Sequence, residues 1–151
     1  MKFIADVMLG RLAKRLRLLG YDVLYDHTLD DNGIISLSLK QDRIILTRDT
    51  ALAARPIATN HFFITNDDVQ EQLRQVLVAF PNGGRYHPFT RCSECNEPLV
   101  AISREDVVDL VPAYVRDTCD AFLQCPACGR VYWSGTHVRG MRLAKTGQKR
   151  D

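Results

Sequence analysis

The chain has 151 residues, of which 46% are hydrophobic and 25% charged, enough for one packed domain or a domain with a small appendix. Its formal net charge of +2 excludes the strongly basic composition that by itself marks a nucleic-acid binder. No apolar run approaches the roughly 18 residues of a membrane span, and the N-terminal run is broken at Asp6 and again by basic residues, so it lacks the core of a secretion signal.

The first predicted element is a strand, "KFIA", which ends on Asp6. Residues 8–19 then read as a helix. Leu9, Leu12, Ala13, Leu16 and Leu19 recur at helical spacing on one face, Arg11, Lys14 and Arg15 lie opposite, and Gly20 is a natural stop. "DVLYD" is a second strand, and Asp30, Asp31 and Asn32 prepare a helix over about residues 32–40. "RIILT" is apolar almost throughout, as expected for a strand covered on both faces. "TALAAR" reads as a short helix and "HFFIT" as a fourth strand. Asp67 or Asp68 caps a helix running to Phe80, with an apolar stripe of Val69, Leu73, Val76, Leu77 and Phe80. This alternation predicts an α/β fold, a parallel sheet with right-handed crossovers and flanking helices. The turn-rich "PNGGRYHPF" divides the chain into a domain over 1–80, a linker over 81–90, a second unit over 91–143 and a basic flexible tail over 144–151.

Ligands of an open parallel sheet bind beyond the carboxyl ends of its strands. Each strand here is followed there by acid: Asp6, then Asp30 and Asp31, then Asp49 in "ILTRD", then Asp67 and Asp68. An Asp before a helix is often only an N-cap, worth about 1 kcal/mol. That objection weighs most on Asp31, Asp67 and Asp68, and less on Asp6 and Asp49, which abut apolar strands. Converging carboxylates repel one another unless a cation neutralises them, and hard oxygen ligands select Mg²⁺ or Mn²⁺. Lys14 or Arg15, helped by Arg11, could hold a phosphate beside such a site. Arg48 could contact phosphate or orient the acids. Neither a dinucleotide fingerprint nor a P-loop is present.

The second unit carries "CSEC" at Cys92 and Cys95 and "CPAC" at Cys125 and Cys128. With no signal or span the chain is expected in the cytoplasm, where paired cysteines ligate metal rather than form disulfides. Two such knuckles complete a closed tetrahedral Zn²⁺ site, one structural ion per chain. Within the insert "SREDVVDL" predicts a short helix capped by Ser103 and Asp106. Cys119 lies outside both pairs. Tyr132 and Trp133 are expected to pack within the ribbon, with base stacking as the lesser alternative, and His137 could touch substrate or cap a final helix. No acid occurs between Asp120 and Asp151, a stretch holding Arg130, Arg139, Arg142, Lys145, Lys149 and Arg150, which suits phosphate backbones.

In order, "FIADVMLGRLAKRLRLLGYD", "ILTRD", "RCSECNEPL" and "CPACGRVYWSGTH" closely resemble the mut-seven C-terminal RNase family. The resemblance extends to about residue 143. It implies a PIN-like ribonuclease domain followed by a zinc ribbon, acting on RNA, single-stranded or structured as in tRNA. It carries over Asp6, one of Asp30 or Asp31, and Asp49 as catalytic acids holding one or two Mg²⁺ or Mn²⁺. Lys14 and Arg15 orient the scissile phosphate, with Arg11 and Arg48 assisting on the substrate, and the four paired cysteines hold zinc. Such sites commonly have a fourth acid, whose position "TNDDV" leaves open. Two other readings compete: a zinc-ribbon module that binds RNA or protein without catalysis, and a phosphohydrolase for small molecules.

Overall fold

A computed structural model describes residues 1–81 and 87–133. His137, the basic residues from Arg139 onward, the tail 144–151 and the middle of the linker lie outside the described residues.

Four short apolar runs pair side by side in parallel: β1 (Lys2–Ala5), β2 (Asp22–Leu24), β3 (Ile44–Thr47) and β4 (His61–Phe63), in the order β2-β1-β3-β4. Ile4 lies opposite Ile45 across the central pair, and Leu46 opposite Phe62. Successive strand residues point to opposite faces, so each central strand feeds two cores. Phe3, Ala5 and Leu46 pack beneath α1 (Gly10–Leu18) and α4 (Val69–Ala79) with Leu12, Leu16, Leu73 and Val76. Ile4 and Ile45 pack beneath α2 (Asp31–Gln41) and α3 (Thr50–Ala53) with Ile34, Ile35 and Leu52. Each of the larger of these side chains contributes about 1.5–3 kcal/mol when fully buried. Helices on both faces explain why β3 reads apolar throughout rather than alternating.

The predicted helix over 8–19 begins as a 3₁₀ turn at Val7–Leu9 before α1. Among the described residues no helix is long and apolar enough to cross a membrane.

The C-terminal unit is a three-stranded antiparallel ribbon, β5 (Val100–Ile102), β6 (Phe122–Gln124) and β7 (Val131–Trp133). Its insert corrects the sequence expectation. "SREDVVDL" forms turns, although Ser103 and Asp106 do exchange the expected bonds: Ser103 Oγ donates to Asp106 Oδ2 at 2.8 Å, and Asp106 N–H to Ser103 Oγ at 3.3 Å. Adjacent β-branched valines and three acids weaken a helix there. The helix comes later, α5 (Ala113–Thr118), directly after Pro112, whose fixed φ suits a helix start. Val107, Val111, Val115 and Phe122 form the ribbon's small core, with Cys119 and Trp133 packed against it.

The two units meet along α1. Arg17 is basic by sequence yet only 3% exposed. Its Nη1 donates to the carbonyls of Ser93 and Glu94 at 2.9 and 3.0 Å, and its Nε to the carbonyl of Val23 at 2.8 Å. Asn96 accepts from Val23 N–H and donates to Asp22, and Asp22 also accepts from Arg43 at 2.8 Å. Gly20 turns the chain at φ +94°, where a Cβ would run into the His87 carbonyl oxygen. The first cysteine knuckle is thus hydrogen-bonded to both α1 and β2.

Candidate active site and metal centre

In the order β2-β1-β3-β4 the chain leaves β1 in one direction and resumes on its other side, so the crevice opens between the carboxyl ends of β1 and β3. Asp6 and Asp49 flank that crevice, joined by a residue the sequence reading missed. Asp6 is 3% exposed and Thr47 is fully buried. Thr47 Oγ1 donates to Asp6 Oδ2 at 2.9 Å and accepts from Asp49 N–H at 2.9 Å. The sheet itself sets Asp6, whose N–H donates to the Leu46 carbonyl. The legible signal for Thr47 was a hydroxyl at the last position of an apolar strand, two residues before an acid.

The caps fall differently from the expectation. Asp6 and Asp49, which looked least like caps, are both caps: Asp6 Oδ1 accepts from Val7 N–H at 2.6 Å, and Asp49 Oδ1 from the N–H groups of Ala51 and Leu52. Each uses Oδ1 for the cap, and neither uses Oδ2 for it. Asp30 caps α2 through Gly33 N–H, and Asp68 caps α4 through Gln70 and Glu71. Asp31 sits half-buried in the first turn of α2, beside Asn32, which accepts from Arg55 at 2.7 Å and so ties that turn to the end of α3.

A cleft of about 480 Å³ opens between the N-terminal ends of α1 and α4, lined by Met8, Arg11, Asp67, Asp68 and Gln72 among others. Gln72 is buried and donates to the carbonyls of Asn66 and Asp67, which fixes the loop carrying Asp67. Arg48, beside Asp49, has a buried Nε with no hydrogen-bond partner among the described residues. Lys14 lies on the exposed side of α1, and its ammonium sits 2.9 Å from the Glu94 carboxylate of the first knuckle. Among the described residues neither Arg11, exposed, nor Arg15, half-buried, is in an ion pair.

The cysteines are assembled far more completely. Cys92, Cys95, Cys125 and Cys128 offer sulfurs all within 4.8 Å of one another, and among the described residues no other group of three or more ligating side chains is gathered so closely. A tetrahedron with Zn–S arms of about 2.3 Å has edges of about 3.8 Å, and Cys92 and Cys128 are 3.7 Å apart. The two knuckles are built alike. Asn96 N–H donates to the Cys92 carbonyl and Gly129 N–H to that of Cys125, and both residues hold positive φ, +65° and +75°.

The Tyr132 hydroxyl lies 3.1 Å from Cys92 Sγ and accepts from Ser93 N–H. Burial raises the Cys92 thiol, but bonds from Tyr132 and from the Cys95 and Glu94 N–H groups outweigh it and bring Cys92 down to about 7. Burial and the neighbouring cysteines push Cys95 up to about 12. Burial, then the bond to Cys92, pushes Tyr132 up to about 12, which keeps its hydroxyl a neutral donor. Tyr132 and Trp133 are therefore occupied by the metal centre and the ribbon core.

Comparison with curated proteins and with solved structures gives no match. A family model, the Mut7-C RNAse domain, matches residues 1–144, nearly the whole chain. The match points to ribonuclease activity with RNA as substrate, and the four-cysteine cluster to bound zinc. By that match, over a four-stranded parallel sheet and a cysteine ribbon, the chain belongs to the Mut7-C RNAse domain family.

Proposed function

We propose that the protein hydrolyses RNA phosphodiester bonds with Mg²⁺ or Mn²⁺ held at the carboxyl edge of the parallel sheet. The observation that carries this reading is the run of hydrogen bonds from Asp49 through Thr47 to Asp6 at the crevice between β1 and β3. Asp6 is buried, and among the described residues it is in no ion pair. A buried carboxylate without a counter-charge is costly, and a hard divalent cation offsets that cost. Mg²⁺ commonly takes only one or two carboxylates, leaving its other positions to water and substrate oxygens. Two linked acids, rather than a closed cage, suit that preference.

Asp6 and Asp49 would hold the ion or ions, with Asp31 or Asp30 reaching them directly or through water. When bound, the metal supplies positive charge at the phosphoryl oxygens and acidifies water. The chain's own residues do the rest. Thr47 fixes which way the Asp6 carboxylate faces. Arg48 offers an unsatisfied donor beside Asp49, suited to an anionic oxygen. Arg11, Lys14 and Arg15 recur at i, i+3 and i+4 on α1 and orient the phosphate from that side.

The test pairs chemistry with stability. Mg²⁺- or Mn²⁺-dependent cleavage of a single-stranded RNA should vanish in Asp6→Asn and in Asp49→Asn. The melting temperature of the protein without added Mg²⁺ or Mn²⁺ should hold or rise slightly, because Asn caps about as well as Asp. Cleavage retained in both variants would remove this reading.

A further inference from the structure

The Lys14–Glu94 pair joins α1 to the first cysteine knuckle, and a second cation stands on the knuckle opposite. Arg130 follows Cys128 by two residues, and its knuckle closes on the first through sulfurs within 4.8 Å. Arg130 is exposed and lies within the field of Glu94. A single carboxylate, with its side chain 33% exposed, therefore pairs with Lys14 on α1 from a knuckle whose sulfur partner carries Arg130 two residues on. Lys14 keeps half its surface open, at 51%. It follows Arg11 by three residues on α1, about 4.5 Å along the axis at 1.5 Å per residue, and Arg11 lines the cleft at the sheet edge. Arg17, one turn beyond, is committed to the carbonyls of Ser93 and Glu94 and takes no part.

We propose that Arg11, Lys14 and Arg130 form one continuous track for an RNA backbone, running from the sheet edge across the seam to the second knuckle, with Glu94 occupying the place of a phosphate on it. This rests on the ribonuclease reading for its partner and adds the path and the competitor. Glu94 stands in for a phosphate at Lys14, so RNA that follows the track displaces it. The protein gives up an exposed ion pair and gains phosphate contacts whose counterions are released. The zinc ribbon then serves two ends at once: it completes the fold, and it carries both the far cation and the anion that screens the near one. Nonspecific polyanion binding is discouraged because each ligand must first compete with Glu94.

The test measures binding rather than cleavage, so its failure is separable from failure of the nuclease site. A labelled single-stranded oligoribonucleotide is titrated with the full chain carrying Asp6→Asn, across a range of salt, with zinc content measured in every variant. Glu94→Gln should tighten binding about two- to fivefold, the worth of an exposed ion pair. It should also steepen the log–log salt slope by about 0.7 for each cation freed. Glu97→Gln, an exposed acid in the same knuckle, should do neither. Arg130→Gln should flatten the slope by about 0.7 and leave the gain from Glu94→Gln in place, because that gain comes from freeing Lys14. Equal gains from Glu94→Gln and Glu97→Gln would reduce the effect to net charge and overturn the track. An Arg130→Gln slope identical to the parent would overturn it too, even if Glu94→Gln failed to retain zinc. If the parent binds no RNA at any salt, both the track and the RNA substrate fall. If the wild-type chain cleaves RNA while Glu94→Gln, with its zinc intact, binds no tighter, only the track falls.

Discussion

The cysteine cluster and the carboxylate crevice are built on opposite plans. In the first, four sulfurs converge within 4.8 Å of one another, their knuckles closed by matched backbone bonds and a tyrosine hydroxyl. In the second, two carboxylates and one threonine stand at strand ends, and each acid has already given an oxygen to a cap. A structural site gains from satisfying every coordination position, because its binding energy is folding energy. A reactive site needs positions left open for water and substrate. Completeness on one side and sparseness on the other therefore fit a fold-holding site and the chemical site we propose at the crevice.

The largest effects should come from the complete site. Cys92→Ser removes a ligand from the buried side of the cluster, whereas Cys119→Ser removes none. The first should drop zinc below one ion per chain and melt the ribbon. The second should keep zinc stoichiometric. Equal zinc content in the two would dissolve the contrast. Arg17→Met probes whether the site also holds the seam. It strips three bonds from a buried cation and leaves the carbonyls of Val23, Ser93 and Glu94 unpaired. A loss of about 3–5 kcal/mol is expected, from three carbonyls each left without its donor at about 1–3 kcal/mol. Chemical denaturation with zinc saturating would read it, and a change under 1 kcal/mol would make the seam incidental.

A smaller effect sharpens the sparse site. Thr47→Val keeps the shape but leaves Asp49 N–H without its acceptor and Asp6 Oδ2 without its donor. Stability should fall by about 1–3 kcal/mol. Mn²⁺ affinity, read by titration calorimetry, should fall about 10- to 100-fold, as when a partner that orients a ligand is lost. Thr47→Ser should restore affinity more than stability, because the hydroxyl returns and the methyl does not. Recovery of stability alone would make Thr47 a core residue and nothing more.

The contrast also governs what could be read from sequence. Strands and helices were legible because apolar runs and stripes report burial directly, and the cysteine site because C-x-x-C fixes its own geometry within four residues. Cap assignment was not legible. Consecutive acids such as Asp30–Asp31 and Asp67–Asp68 look equivalent along the chain, and only backbone φ and ψ decide which one meets the helix N–H groups. Arg17's burial was not legible for a similar reason. Its place on α1 is settled by carbonyls about 76 residues away in sequence, in a knuckle whose docking no local pattern encodes. The insert helix was misplaced because a capping-box pattern forms its bonds in a turn as readily as in a helix.

The smallest expected effect lies at the seam and depends on pH. Burial pushes the Asp22 carboxyl up, but bonds from Arg43 and Asn96, with the charges of Arg43 and Arg91, hold it below its ordinary value of 3.8. A depressed carboxyl binds its proton less readily folded than unfolded, so its stabilisation is complete above 3.8 and drains away as pH falls through the lower folded value. Asp22→Asn keeps an acceptor for Arg43 and Asn96 but never carries the charge. The gap in melting temperature between wild type and variant should thus be constant from pH 7 to about 4.5 and close below 3.8. At about 2–4 °C for each kcal/mol in a chain of this size, differential scanning fluorimetry resolves it. Acid release of zinc lowers both curves, but the gap isolates Asp22, because the cysteines are the same in both proteins. A gap that persists unchanged to pH 3 would mean that Asp22 acts only by shape and hydrogen bonding. The seam would then be fastened by Arg17 and Asn96, with no charge of its own.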